Sequence, residues 1–246
     1  MALKAAPEDQ ALLLDLQLLD TKLQQLGHKA STLPEIAVLA SLTTERETLQ
    51  RTLANQNGAW EDAQLELKRT ESDVAVVEAR VTRDKERLQA SASVKDVAAL
   101  EQELAALAKR QSDLEDIELA VMETVDETAT AVETTRSALT ELDGQIAEAM
   151  ASRDAALVTL TSEREHAGTN RAAIAAQVPA DLLALYEKQR ARYGVGASLL
   201  QGGVSKASGV TLNASDMVAI RAAAPDDVLL CPDSNAVLVR TAESGL

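Results

Sequence analysis

Arg87-Leu-Gln-Ala-Ser-Ala-Ser-Val-Lys-Asp-Val-Ala-Ala-Leu100 is the stretch on which the fold depends. One hydrophobic repeat ends in it at Leu88 and another begins at Leu100. Between them, Ser91 or Ser93 can cap a new helix by accepting from backbone N–H groups that have no helical partner. Asp96 then favours the positive end of that helix in its first turn. The spacing predicts a turn near residues 91–95.

Working backwards from that turn, steps of four and three run through Leu42, Leu49, Leu53, Trp60, Ala63, Leu67, Val74, Val77, Val81 and Leu88, the spacing of a coiled-coil seam. Arg46, Gln56, Thr70 and Asp84 interrupt it, which loosens packing and fixes register. An earlier piece, Leu12, Leu16, Leu19, Leu23 and Leu26, shows the same stepping. Ser31-Thr-Leu-Pro-Glu35 separates the two. Pro34 suits the first turn of a helix, with Ser31 or Thr32 as its cap, so a kink is expected near 31–35. Forwards from the turn, the seam runs Leu100, Leu104, Leu107, Leu114, Val121, Val125, Val132, Leu139, Leu142, Ile146 and Ala149, then less regularly to about Ala176. The arms are nearly equal, which favours an intramolecular hairpin over one continuous helix dimerising in parallel. Each arm of about 80 residues would reach roughly 120 Å at 1.5 Å per residue.

Val178-Pro179 ends the second arm, because a residue before proline is disfavoured in a helix. A short amphipathic helix follows over Asp181–Arg192. Glycine then clusters at Gly194, Gly196, Gly202, Gly203 and Gly209. Ala197–Leu200, Val228–Leu230 and Ala236–Val239 read as strands, and Asn213–Arg221 as a helix capped by Asn213 or Ser215. The fold class expected is mainly α: a long antiparallel coiled-coil helical hairpin over 1–177, followed by a connecting helix and a small α+β zinc-ribbon-like domain over 178–246.

Composition agrees. Aromatic residues make up 1% of the 246 and Phe is absent, so the apolar content is chiefly Ala, Leu and Val, suited to helices packed side by side. The net charge of -15 disfavours nucleic acid on average. The N-terminus carries no apolar run of secretory length, and no stretch of about 18 apolar residues would span a membrane. Cys231 stands alone, so an intramolecular disulfide is excluded. A cytoplasmic protein is expected.

Leu14-Asp-Leu-Gln-Leu-Leu-Asp20, Leu33-Pro-Glu35, Ser112-Asp-Leu-Glu-Asp116 with Met122-Glu123, and Pro179-Ala-Asp-Leu-Leu183 with Tyr186-Glu187 form a recognisable set. It continues through Gly194-Val-Gly-Ala197, Leu212-Asn-Ala-Ser-Asp216 and Val237-Leu-Val-Arg240. On these residues the chain resembles a bacterial family, CT398-like, in which a coiled-coil hairpin precedes a C4-type zinc ribbon, and it looks like an actinobacterial-type member with degenerate knuckles. Zinc in that family is held by two Cys-x-x-Cys knuckles. Laid on this sequence, the pattern puts the four ligands at Ser205, Ser208, Cys231 and Ser234. Three of the four thiols are therefore hydroxyls, which are weak acids and hard, poor zinc ligands. His28 and His166 lie far off along the arms. No zinc and no other cofactor is expected. A ribbon without metal must rest on apolar contacts, from Leu212, Met217, Ile220, Leu229, Leu230, Val237 and Val239, and on docking against the 181–192 helix.

No nucleophile-elbow, phosphate-loop or dinucleotide motif occurs, and carboxylates on coiled-coil outer faces are ordinarily solvated. The chain is read as a non-enzyme with no small-molecule substrate. Charge placement is more informative. Arg80, Arg83, Lys85, Arg87, Lys95, Lys109 and Arg110 outnumber five acids in the predicted tip, a local net charge of +2. Farther along, Asp113 to Asp143 is strongly acidic. The tip residues are the expected partner-binding surface. The module from Ala197 onward has three basic residues, Lys206, Arg221 and Arg240, and no basic-plus-aromatic surface. The favoured function is an adaptor or scaffold for protein partners. The alternative is a nucleic-acid-binding regulator.

Overall fold

The computed structural model describes residues 3–246. Its helices are α1 (Pro7–Ser31), α2 (Pro34–Ala90), α3 (Val94–Ala175), α4 (Ala180–Tyr193) and α5 (Ala214–Ala222). The strands are β1 (Ala197–Gln201), β2 (Val204–Ser205), β3 (Leu229–Leu230) and β4 (Val237–Val239), followed by a 3-10 turn at Ala242–Ser244. Two compact units emerge, one of residues 35–151 and one joining 1–34 to 152–246. The 177/178 division drawn from the sequence falls inside the second of these.

Within 35–151, α2 and α3 form the antiparallel hairpin. Every predicted seam position from Leu42 to Leu88 is buried or half-buried while most of the intervening residues are exposed. The polar positions Arg46, Gln56, Thr70 and Asp84 obey the same rhythm. On α3 the seam holds from Leu100 to Ala149, with Leu100, Leu114, Val132 and Leu142 buried. Cross-arm pairs fix the register: Arg80 with Glu103, and Arg46 Nε with Asp143 Oδ1 at 2.6 Å. Only Ser91, Ala92 and Ser93 are non-helical at the turn. Of the two candidate caps the structure uses Ser93, whose Oγ accepts from the Asp96 amide at 3.4 Å.

The break before Pro34 is present, but its hydroxyls act on the other helix. Ser31 Oγ and Thr32 Oγ1 both donate to the His28 carbonyl, at 2.9 and 2.8 Å, closing the end of α1. Backbone carbonyls in a last helical turn lack partners, and here two side chains supply them.

The second unit is built around a four-stranded sheet of order β2-β1-β4-β3. β1 and β4 run parallel, with Ala197, Ser198 and Leu199 opposite Val237, Leu238 and Val239. β2 and β3 flank them in antiparallel hairpins. Side chains alternate across a strand, and β4 divides accordingly. Val237 and Val239 join Leu13, Leu16, Val178, Leu182, Tyr186 and Ala197 on one face. Leu238 joins Leu200, Leu212, Ile220 and Cys231 on the other. The sheet thus lies between α1 with α4 and α5.

That arrangement adds to the reading of α1, whose stepped positions Leu12, Leu16, Leu19, Leu23 and Leu26 are all buried or half-buried. Leu13 and Leu16 are fully buried against the sheet, whereas Leu12, Leu19 and Leu23 are half-buried. The α4 helix docks as expected, through Leu182 and Tyr186. Burying Leu13, Leu16, Leu182 and Tyr186 contributes on the order of 8 kcal/mol at about 2 kcal/mol each, a large supplement for a core of roughly fifty residues. Of the predicted core residues, Leu230 is instead 42% exposed.

Candidate functional site

Seven cations were assigned to the tip, and the structure separates them into two groups. Arg80 pairs with Glu103 and lies 3.9 Å from Asp84, while Arg87 reaches Asp84 at 3.3 Å. Asp84 sits in the seam, 3% exposed, so these two arginines, themselves exposed, pair with the hairpin's own carboxylates. Arg83, Lys85, Lys95, Lys109 and Arg110 are exposed and, among the described residues, have no ion-pair partner. Arg83 and Lys85 lie in the last two turns of α2 and Lys95 in the first turn of α3. Lys109 and Arg110 lie about 9 and 10.5 Å beyond the Glu103 level along α3, at 1.5 Å per residue. Val94, between Ser93 and Lys95, is 87% exposed and gives the turn an apolar point.

In the other unit, α1, the end of α3 and α4 converge on a polar clamp that the sequence did not reveal as a unit. Asp20 of α1 accepts from Arg171 of α3, at 2.9 Å from Nε and 3.2 Å from Nη2. It also accepts from the Tyr186 hydroxyl of α4 at 2.6 Å and lies 3.4 Å from Arg190. Glu187 closes the circuit, bonded to Arg171 and, at 2.8 and 3.0 Å, to Arg190. Burial alone would raise the Asp20 carboxyl, but the hydrogen bonds from Arg171 and Tyr186, then the charges of Arg171 and Arg190, outweigh it and hold it below the usual range. Glu187 is lowered against the same opposing burial, by Arg171 and Arg190. Burial, then the neighbouring Asp20, pushes the Tyr186 hydroxyl far up, so it remains a donor. Each charge is paired, as buried charges require. The clamp therefore reads as a positioning device.

Next to it, Gln17 Oε1 accepts from the Gly196 amide at 2.7 Å and the Ala197 amide at 3.3 Å, tying α1 to the start of β1. Gly196 is required there by close approach, since an added Cβ would stand 2.8 Å from the Tyr186 carbonyl oxygen and closer still to the Cδ2 and Cε2 edge of its ring. An open polar cleft of about 390 Å³ beside the clamp is lined by Gln17, Asp20, Gln24, Arg164, Arg190 and Gly194. It contains no nucleophile with an adjacent base.

The knuckle positions lie on the α5 side of the sheet. Cys231 is 1% exposed and Ser205 fully buried. Cys231 Sγ stands 3.3 Å from Ser205 Oγ, which lies 2.9 Å from Ser198 Oγ. Ser208 Oγ accepts from the Val210 amide at 3.3 Å and Ser234 Oγ from the Ala236 amide at 3.4 Å. The donor set does not fit zinc, because one thiol and three hydroxyls engaged in hydrogen bonds cannot supply the four soft or basic ligands of a structural site. Among the described residues, no three or more His, Cys, Asp or Glu side chains cluster as metal ligands would. Nor is any helix there long and apolar enough to cross a membrane.

A long helical hairpin with a small C-terminal sheet defines a coiled-coil protein with no recognisable catalytic constellation. The chain belongs to the CT398-like coiled coil hairpin domain family, whose profile matches residues 16–194. An uncharacterized protein of Mycobacterium tuberculosis, Rv2229c, is 33% identical over 97% of this chain and 98% of its own length. A solved chain from Mycobacterium smegmatis superposes with a TM-score of 0.86 at 35% identity, covering 97% of this chain and all of that one. CT398 from Chlamydia trachomatis shares the fold at 14% identity, with a TM-score of 0.67 over 95% and 98% of the two chains. None of these relatives indicates a catalytic family.

Proposed function

We propose that the protein is a non-enzymatic adaptor that binds an acidic surface of a protein partner through its hairpin tip. The observation that carries this reading is the set of unpaired cations around the turn, Arg83, Lys85 and Lys95, beside the exposed Val94, on a chain of net charge -15. Elsewhere many of the arginines are paired within the protein. Free charges with an apolar anchor favour fast, oriented encounter with a complementary surface. A nucleic-acid partner is less favoured by the C-terminal module. Arg240, one of its three cations, spends its guanidinium on the carbonyls of Ile220, Ala223, Ala224, Pro225 and Asp227, at 2.6 to 3.4 Å.

The test is affinity capture from the native cell extract with nuclease present. It compares the full chain with a variant in which Arg83, Lys85 and Lys95 are reversed to Glu. Arg87 is left in place, because removing it would strip a partner from buried Asp84. Proteins captured by the full chain should be lost from the reversal variant, while its helicity and thermal midpoint stay unchanged. Capture that persists in the variant overturns the tip assignment. Capture abolished by nuclease, with affinity falling steeply in salt, would favour the nucleic-acid reading instead.

A further inference from the structure

The four knuckle positions raise a separate question: what does the work of the absent thiolates? Ser205 lies at the end of β2 and Cys231 directly after β3, so the two hairpins that flank the parallel pair each bring one residue to the same buried point. Ser198, on β1, supplies a third group. Its Oγ lies 2.9 Å from Ser205 Oγ and accepts from the Ala207 amide at 2.8 Å, inside the first knuckle loop. That loop is also held by its backbone, with the Gly209 amide donating to the Ser205 carbonyl at 2.8 Å and the Lys206 amide to the Leu199 carbonyl at 3.0 Å. In the second loop, the Asn235 amide donates to the Cys231 carbonyl at 2.9 Å, and Asn235 takes a left-handed conformation, φ 58°. The Cys231 thiol donates to Ser205 Oγ at 3.3 Å, which links the second loop to the Ser205–Ser198 pair of the first.

We propose that Ser205 and Cys231 form a metal-free centre that joins the two loops of the C-terminal module, a hydroxyl–thiol hydrogen-bond chain replacing the metal–ligand bonds of a C4 ribbon. Three consequences follow from its geometry. The module folds without zinc. Ser205, buried and bonded on both sides, is the hub. Restoring thiols at the three serine positions recreates a metal site, because the backbone-held loops and the i, i+3 spacing are already in place.

The experiment uses the full chain, purified without added metal and kept reduced. Zinc is measured per chain, and hydrogen exchange is followed in β1 and β4 with and without a strong chelator. The unaltered protein should hold far less than one zinc and exchange at the same rate in both conditions. Ser205→Ala should speed exchange in β4 roughly tenfold or more, as expected when a buried hydrogen-bond partner is left unsatisfied. Ser208→Ala, at a half-exposed loop position, should leave the rate within about twofold of wild type. The combined Ser205→Cys, Ser208→Cys, Ser234→Cys variant should bind one zinc per chain and show zinc-dependent protection of β1 and β4, whether or not it folds before metal is added. Stoichiometric zinc in the unaltered chain, or chelator-accelerated exchange, overturns the metal-free centre. Wild-type exchange in Ser205→Ala removes Ser205 as hub. A triple variant that takes up no zinc shows that the serines do not stand at ligand positions.

Discussion

Replacing Asp20 with alanine should open the unit made of residues 1–34 and 152–246 while sparing the hairpin. The Asp20 side chain is 7% exposed and receives two bonds from Arg171 and one from Tyr186, with Arg190 at 3.4 Å. Removing one member of a buried ion pair costs about 3–5 kcal/mol, because the partner stays desolvated. Arg171 and Arg190 are 21% and 39% exposed and retain Glu187, which places the expected loss near the lower limit, about 3 kcal/mol. The Tyr186 hydroxyl, left buried without its acceptor, accounts for about 1–2 kcal/mol of that. A loss of this size raises the opening equilibrium roughly a hundredfold. Hydrogen exchange of β1 and β4 amides is the suitable assay, since it reports the unit containing them without requiring the whole chain to melt in one step. Asp20→Asn, which keeps the shape and removes the charge, adds a pH signature. The folded Asp20 carboxyl lies below its unfolded value of about 3.9. Its contribution is therefore fully present above about pH 4 and is lost as pH falls through the lower folded value. The stability gap between wild type and Asp20→Asn should narrow in that acid window and stay constant above it. An Asp20→Ala protein whose β4 amides exchange less than fivefold faster would refute the clamp as an energetic element, as would a gap that ignores acid.

Gly196→Ala should lower the thermal midpoint of the same unit, at a cost of about 2 kcal/mol, because the new methyl collides with Tyr186, which cannot move without disturbing its bond to Asp20. A neutral result in calorimetry would show that β1 yields freely there. Arg240→Lys should destabilise nearly as much as Arg240→Ala, about 2 kcal/mol by urea titration, since an ammonium cannot reproduce a planar fork that donates to five carbonyls. Full rescue by lysine would mean that only the charge matters. Asp84→Leu should stabilise the 35–151 hairpin by about 1 kcal/mol by filling the seam, as apolar replacements of buried ion pairs often do. A loss of helical signal at lower temperature would show that Asp84 and its arginines hold the register.

The hairpin was legible because a coiled coil is written in one local code. Leu42 to Leu88 and Leu100 to Ala149 repeat in fours and threes, and burial follows that rhythm through Thr70 and Asp84 as well. The C-terminal strands were legible as short apolar runs, and Asn213 as a cap, its side chain accepting from the Asp216 amide at 2.8 Å. α1 was read in part: the stepping from Leu12 to Leu26 is buried or half-buried throughout, while the burial of Gln10, Leu13 and Asp20 on another stripe of the same helix was not anticipated. The two-residue β2 was too short to carry a periodic signal.

Sequence alone determined the helical hairpin and the place of its turn, because each depends on residues close together in the chain. Asp20, Arg171, Tyr186 and Glu187 could be named individually, and Asp20, Tyr186 and Glu187 even carried the family resemblance. Their meeting could not be read, since Asp20 and Tyr186 are 166 positions apart and no periodicity links them. Arg80 and Arg87, counted at first with the free cations of the tip, stand one helical turn from Asp84. Tertiary packing decides that Asp84 is buried and that Arg80 also meets Glu103 across the arms, which sets both arginines apart from the unpaired Arg83, Lys85 and Lys95.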